Sequence, residues 1–385
     1  MFQVQTLNKI SPVGLAQLGE NYQVADTVDN PDAILVRSAV MHEMEFGSNL
    51  LAIARAGAGV NNIPLDRAAE NGIVVFNTPG ANANGVKELA LAGMLLASRD
   101  IVGGINWVQT IKGEETIAKM VEKGKSKFAG TEIKGKKLGI IGLGAIGGPL
   151  SNAGVSLGME VYGCDPYISV EAAWNLSRAI HHVKTRDEIF RNCDFISLHV
   201  PLNDDTKKMI NAETIAMMKD GVVILNFARD LLVDDEAMEA ALKSGKVRKY
   251  ITDFPNAKSA NMEGVIAIPH LGASTEEAED NCAAMAAKEL VDYLENGNIK
   301  NSVNFPNAEM NAVGKKICIL HKNVPSVIAS LTQGISNAGG NIENMVNASR
   351  KEYAYTMIDV TGEISQDVID TMKTIDGVIR VRVIG

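Results

Sequence analysis

Six short apolar runs along this chain each end on a polar side chain. AILV runs into Arg37, LLAIA into Arg55, VYGC into Asp165, VVILNFA into Arg229, KYIT into Asp253 and VIAIP into His270. Unbroken apolar runs of this length read as strands buried on both faces of a parallel sheet. Ligands of open α/β sheets bind just beyond the carboxyl ends of the strands. The pattern therefore predicts six segments far apart in sequence that deliver two anion-binding arginines, a cofactor-selecting acid, a third arginine and an imidazole to one cleft.

The rest of the pattern fits around these strands. Strands are expected over 3–7, 33–37, 50–55 and 73–77, followed by the turn-rich GAGVNN and NTPGANANG, with a long helix from Val86 to Thr110. The Lys-rich stretch KGKSKFAGTEIKGKK reads as a domain crossing. Strand–helix alternation then resumes at Lys137 and runs to His270, the pattern of a second doubly wound unit. A helix from Thr275, stopped by Gly297, carries the chain back to the first domain. NSVNFPNAEMNAVGKK is a linker by composition. Roughly the last 70 residues have the length and pattern of a small unit of their own. KICIL is a strand, and Val324, Ile328, Leu331 and Ile335 recur at helical spacing up to Gly339 and Gly340. Strands from Asn341 and over Tyr355–Thr361 follow, then a helix over Gln366–Thr374. In the closing VIRVRVIG, Ile379, Val381 and Val383 point inward, and Arg380 and Arg382 outward. The order βαββαβ is that of a two-layer ferredoxin-like unit. The predicted fold class is α/β, with two doubly wound Rossmann-like domains and this third unit. The expected boundaries are 1–96 with 276–305, 97–275, a linker at 306–315, and 316–385.

The 385 residues suffice for such a division, and an apolar content of 46% is ordinary for a globular chain. A net charge of −9 argues against a general affinity for nucleic acid or anionic membrane. No apolar run approaches the ~20 residues of a bilayer span, and MFQVQTLNKI has none of the features of a secretory signal. Cys164, Cys193, Cys282 and Cys318 are scattered and read as reduced core residues, so a cytoplasmic protein is expected. No metal-ligand spacing appears.

KKLGIIGLGAIGGPL places Gly142, Gly144 and Gly147 in a GxGxxG frame between a buried strand and a helix. Gly142 makes the tight turn, Gly144 lets backbone approach a pyrophosphate, and Gly147 lets helix pack close on strand. Asp165 ends the next strand at about the ~20-residue spacing of the acid that binds an adenosine ribose. Such an acid repels a ribose 2′-phosphate, so NAD is favoured over NADP. Reduction of a 2-keto acid further needs a cation to anchor the carboxylate and polarise the carbonyl, and an acid to protonate the oxygen. Arg229, with its two parallel donors, suits the first role. His270 suits the second.

GLGAIG, CDPY, SLHVPLNDDTK, LNFARDLLVD and IPHLGAST together resemble the D-isomer-specific 2-hydroxyacid dehydrogenase family over nearly the whole chain. The resemblance implies that Phe227, Ala228, Arg229, Asp253, His270, Gly272 and Ala273 line the nicotinamide side, and that Ala145 and Ile146 touch the pyrophosphate. It also implies that Arg37, Arg55 and Asn82 hold substrate, with Lys125 adding to them. A substrate phosphate, as in 3-phosphoglycerate, needs such cations. The implied reaction is NAD-dependent oxidation of 3-phospho-D-glycerate to 3-phosphohydroxypyruvate, the entry to phosphorylated L-serine biosynthesis. The alternatives are another D-2-hydroxyacid dehydrogenase acting on glycerate or hydroxypyruvate, and a non-catalytic NAD(H)-sensing protein.

The chain departs from the family at two positions. The family's DVFxxEP stretch carries the carboxylate that pairs with the catalytic histidine. Here it reads DFPNAKSANMEG, with Lys258 where the glutamate falls. Glu263 precedes the strand that ends at His270, which puts it some ~20 Å away. His270 is therefore expected to work without that partner. Asp230 replaces the family's glycine after the arginine. In the last unit, HKNVPSVIASLTQGISNAGGNI resembles an ACT domain, an amino-acid-sensing module. That resemblance implies L-serine as effector, bound by His321, Asn323 and Asn341, and a homodimer or homotetramer. Asn323 is also the expected N-cap of its helix.

Overall fold

The apolar runs do form parallel strands. In the computed structural model, which describes residues 1–362 and 364–385, the chain divides into residues 1–81 with 279–385, and residues 82–278.

The first unit carries a parallel sheet of β1 (Phe2–Thr6), β2 (Tyr22–Ala25), β3 (Ala33–Val36), β4 (Ala52–Arg55) and β5 (Val74–Phe76), in the order β2-β1-β3-β4-β5. Every residue of β3 and β5 is fully buried, as runs covered on both faces require. Arg37 follows β3 directly and Arg55 is the last residue of β4.

The second unit is built on seven parallel strands. They are β6 (Lys137–Ile141), β7 (Glu160–Cys164), β8 (His181–His182), β9 (Phe195–Leu198), β10 (Val222–Asn226), β11 (Val247–Thr252) and β12 (Val265–Ala267). Their order is β12-β11-β10-β9-β6-β7-β8. The order reverses between β6 and β9, which opens a crevice at their carboxyl ends, the position at which such sheets bind dinucleotides. The expected single helix from Val86 to Thr110 is two helices, Ala83–Ser98 and Ile101–Ile111. Between them Asp100 caps the second helix by accepting from the Gly103 N–H at 3.0 Å. Val86, Ala90, Met94 and Ala97 of the first helix share a core with Leu138, Ile140 and Phe195, so this helix belongs with the second sheet. The chain accordingly leaves the first unit at residues 81/82 rather than near 96.

The C-terminal strands β13 (Lys315–Lys322), β14 (Asn341–Arg350), β15 (Tyr353–Thr361) and β16 (Val378–Ile384) form an antiparallel sheet in the order β14-β15-β13-β16. Helices Val327–Asn337 and Gln366–Lys373 complete the βαββαβ arrangement. One face packs Ile317, Ile319 and Ile358 under Leu331 and Ile335. The other face places Cys318, Leu320, Tyr355 and Met357 in one core with Val4, Leu35 and Phe76 of the first sheet. The central strands β13 and β15 are thus buried on both sides, and this sheet shares a core with the first parallel sheet. The outward arginines of VIRVRVIG accordingly face protein, not solvent. Arg380 donates to the carbonyls of Leu50, Asn71 and Ser48 at 2.7, 3.0 and 3.3 Å, and Arg382 to those of Leu294 and Tyr293 at 2.8 and 3.2 Å. Among the described residues no helix is long and apolar enough to cross a membrane.

Candidate active site

The glycine turn after β6 is shaped by backbone contact. Gly142 has φ +92°, and a Cβ on it would lie 2.4 Å from the His199 carbonyl oxygen. A Cβ on Gly147 would lie 1.9 Å from the Gly142 oxygen and 3.0 Å from Ile140 of β6, so only glycine lets this helix start so near its strand. Gly144 meets nothing within 4 Å. Gly144 and Ala145 are exposed, Ile146 is half-buried, and no side chain caps the helix Gly147–Ser156. An uncapped helix start behind an open glycine leaves backbone N–H groups for an anion, so the turn fits a dinucleotide pyrophosphate. Asp165 braces it. One carboxylate oxygen accepts from the Leu143 N–H at 2.8 Å, and the other from the Tyr167 N–H at 2.9 Å. Below the turn, burial pushes the His199 pKa down to about 4, and among the described residues the imidazole Nδ1 has no partner.

At the same carboxyl edge of the sheet, two strands away, Asn226 organises the turn that carries Arg229. Its side-chain oxygen accepts from the N–H groups of Ala228 and Arg229 at 3.2 and 3.3 Å, and its amide donates to the Arg229 carbonyl at 2.8 Å. Phe227 is 4% exposed and its ring lies in the core against Gly93, so at this position only backbone is left for a ligand. Ala228 is half-buried. Arg229 is exposed and donates through one arm to the Ala228 carbonyl at 2.7 Å.

His270 follows β12 in a left-handed backbone conformation, φ +53°, which a side-chain-bearing residue adopts only when neighbours hold it there. Asp253 holds it. Its carboxylate, 1% exposed, accepts from the N–H groups of Leu271 and Gly272 at 2.7 and 2.8 Å. Gly272 is buried and Ala273 half-buried. The imidazole lies 4.6 Å, centroid to centroid, from the ring of Phe254, and the Arg229 guanidinium carbon lies 5.7 Å from the same ring. Asp230, Asp253, Phe254, Pro255, Pro269 and His270 line one open cleft of about 330 Å³. Burial, reinforced by Asp235, raises the Asp230 pKa against a hydrogen bond from Asn256 at 2.9 Å. Lys258 does not line this cleft. Its ammonium pairs with Glu236 and Glu239 on the helix Asp235–Ser244. Among the described residues no carboxylate forms an ion pair with His270.

The substrate candidates fall in both units. In the first, Asn8 accepts from the N–H groups of Arg37, Ser38 and Ala39 at 3.0, 2.9 and 2.9 Å, which fixes the loop after β3. The Arg37 guanidinium meets Glu279 at 2.5 Å. Arg55 is half-buried, its Nε donates to the Arg37 carbonyl at 3.1 Å, and among the described residues it has no carboxylate partner. Burial lowers its pKa, and the neighbouring Arg37 adds to this. In the second unit Asn82 flanks the helix Ala83–Ser98 without capping it, and exposed Lys125 pairs with Glu122 at 2.6 Å.

The effector candidates do not converge within one chain. His321 is 2% exposed. Its Nδ1 donates to the Lys322 carbonyl at 2.7 Å, and its Nε2 meets the Thr356 hydroxyl at 2.8 Å. Asn323 does not cap the helix, whose N-cap is Ser326, because its amide donates instead to the Lys351 carbonyl in the β14–β15 turn at 3.3 Å. Asn341 begins β14, beyond the far end of the same helix, with its amide on Glu343 at 2.7 Å.

A parallel sheet with a glycine turn at its switch point, a bracing acid and an arginine–histidine pair is the arrangement of a dinucleotide-dependent α/β oxidoreductase. Residues 91–272 match the family model of the D-isomer specific 2-hydroxyacid dehydrogenase NAD binding domain. The D-3-phosphoglycerate dehydrogenase of Haemophilus influenzae is 34% identical over 354 residues, 89% of this chain and 83% of that one. The D-3-phosphoglycerate dehydrogenase of Escherichia coli K12 is 32% identical, over 87% of this chain and 82% of its own. Among solved structures, NAD⁺-bound 3-phosphoglycerate dehydrogenase of Entamoeba histolytica superposes with a TM-score of 0.60 at 27% identity, over 80% of this chain and 99% of that one. The chain belongs to the D-isomer-specific 2-hydroxyacid dehydrogenase family and is an NAD-dependent dehydrogenase.

Proposed function

We propose that this dehydrogenase interconverts 3-phospho-D-glycerate and 3-phosphohydroxypyruvate in the cytoplasm, the first step of phosphorylated L-serine synthesis. The observation that carries the chemistry is that Arg229 and His270 both approach the ring of Phe254, which with His270 lines one cleft of the NAD-binding unit. The cofactor, when bound, supplies or accepts the hydride at the substrate's C2. Arg229 anchors the carboxylate and draws electron density toward the carbonyl oxygen. His270 gives that oxygen its proton in reduction and takes it back in oxidation. Asp165 receives the adenosine ribose, the glycine turn receives the pyrophosphate, and Gly272 and Ala273 flank the nicotinamide. Asn82 contributes to substrate binding, and Lys125 adds positive charge.

Arg55 supports the phosphorylated substrate. It is a half-buried guanidinium without a carboxylate, beside a second arginine already paired with Glu279. An incoming phosphate dianion relieves that imbalance. Arg55→Ala is expected to raise KM for 3-phosphohydroxypyruvate at least tenfold, about 1.4 kcal/mol, and to leave hydroxypyruvate kinetics unchanged. An equal effect on both substrates refutes the phosphate role.

Serine regulation follows from the C-terminal residues as an extension of the same reading. Asn323 and Asn341 lie beyond opposite ends of an 11-residue helix, about 16 Å long at 1.5 Å per residue. One small amino acid reaches both only if two copies of the chain each contribute one, which favours a homodimer or a tetramer built from such pairs. The exposed apolar positions Ile101, Val102, Ile105 and Val108 on a single helix agree with an assembled state.

A further inference from the structure

We propose that Phe254 is the positioning residue that sets the His270 imidazole against Arg229, the task an acidic partner performs for a carboxylate-paired histidine. The inference rests on the assignment of Arg229 and His270 above. No carboxylate meets His270 among the described residues, and no hydrogen bond to either ring nitrogen is present among them. The side chain at the family's glutamate position, Lys258, is drawn to Glu236 and Glu239. Asp230 is in the cleft, but its carboxylate accepts from Asn256, which also donates to Asp235 at 2.8 Å. What faces the imidazole is Phe254, with centroids 4.6 Å apart and planes inclined at 47°, within the range of favourable aromatic pairs.

The same ring receives the Arg229 guanidinium at 5.7 Å, a cation–π distance. One aromatic ring therefore contacts both groups that must act on one substrate. The backbone that carries the ring is anchored. The Phe254 N–H donates to the Thr252 hydroxyl at 3.0 Å, and Thr252 and Asp253 are buried at 0% and 1% exposure. Asp253 holds the backbone of the 270–272 turn while its neighbour Phe254 holds the side chain. Two adjacent residues thus control both the position and the tilt of the imidazole.

Positioning errors of about 1 Å reduce turnover by as much as 10²-fold. Phe254→Ala is expected to lower kcat for 3-phosphohydroxypyruvate reduction roughly 10- to 100-fold, with KM for NADH within twofold of the parent. Phe254→Tyr and Phe254→Trp keep an aromatic face and restore most of kcat, while Phe254→Leu keeps bulk without that face and does not. Should Phe254→Ala fail to fold, the Leu and Tyr variants decide alone. A kcat within twofold of the parent in the Ala or Leu variant overturns the inference, as does equal loss in the Tyr and Leu variants. His270→Asn and Arg229→Ala are measured alongside. Full activity in these two refutes the assignment of the catalytic pair, whereas their loss beside an unaffected Phe254→Ala overturns only the role of Phe254.

Discussion

Glu289 makes the stability of this protein depend on pH in a way that one substitution should remove. It sits near the end of the helix Glu276–Val291 and is 8% exposed. One carboxyl oxygen accepts from the Asn301 amide at 2.7 Å, and the other is buried without a partner among the described residues. Burial pushes its pKa from 4.5 up to about 8, against smaller opposing effects of Asn301 and Lys300. The folded chain therefore keeps a proton that the unfolded chain releases. Because the folded value is the raised one, this contribution to stability is complete below pH 4.5 and disappears as pH rises to about 8. At about 1.4 kcal/mol per pH unit, the loss is roughly 3 kcal/mol by pH 7 and 4–5 kcal/mol by pH 9. Glu289→Gln keeps the acceptor for Asn301 and has no proton to lose. Equilibrium urea denaturation of parent and variant at pH 5, 7 and 8.5 should give curves that diverge with pH, the variant gaining several kcal/mol relative to the parent. A difference that stays constant to within about 0.5 kcal/mol across that range refutes the reasoning.

The acid side has its own group. His199 is held neutral with a pKa near 4, below its ordinary 6.5, so its contribution is present above pH 6.5 and lost as pH falls toward 4. His199→Asn should flatten the acid limb of a denaturation series by roughly 3 kcal/mol at pH 4. Arg380→Ala leaves three carbonyls of the first unit without their donor, and calorimetry should show a destabilisation of roughly 2–4 kcal/mol. Asp165→Ser removes both the charge that repels a 2′-phosphate and the brace on Leu143. Steady-state kinetics should show the preference for NADH over NADPH falling at least tenfold, about 1.4 kcal/mol, and an unchanged ratio contradicts the role of that acid.

The strand ends were legible because a strand buried on both faces leaves an unbroken apolar run, and the first polar residue after it marks the ligand side. That logic placed Arg37, Arg55, Asp165, Arg229, Asp253 and His270 at carboxyl ends of their strands. It fails where polarity does not mean exposure. It does not reveal β2, because NYQVAD mixes polar and apolar residues on a partly exposed edge strand. Arg380 and Arg382 alternate like solvent-facing residues, yet they satisfy backbone carbonyls of a neighbouring layer. The supporting residues were harder still. Asn226 and Asn8 work through backbone groups of turns whose shape no local pattern encodes. Asn226 left one signal, a polar residue inside the apolar run VVILNFA. Phe254 left none, because its role depends on three loops meeting.

The most direct test of the proposed activity is the loss of NADH absorbance when the purified protein meets 3-phosphohydroxypyruvate, with hydroxypyruvate measured beside it. Fast turnover of the phosphorylated keto acid, with weak turnover of the other, is the predicted result. Equal or faster turnover of hydroxypyruvate contradicts the phosphate role of Arg55, and turnover of neither contradicts the catalytic assignment of Arg229 and His270.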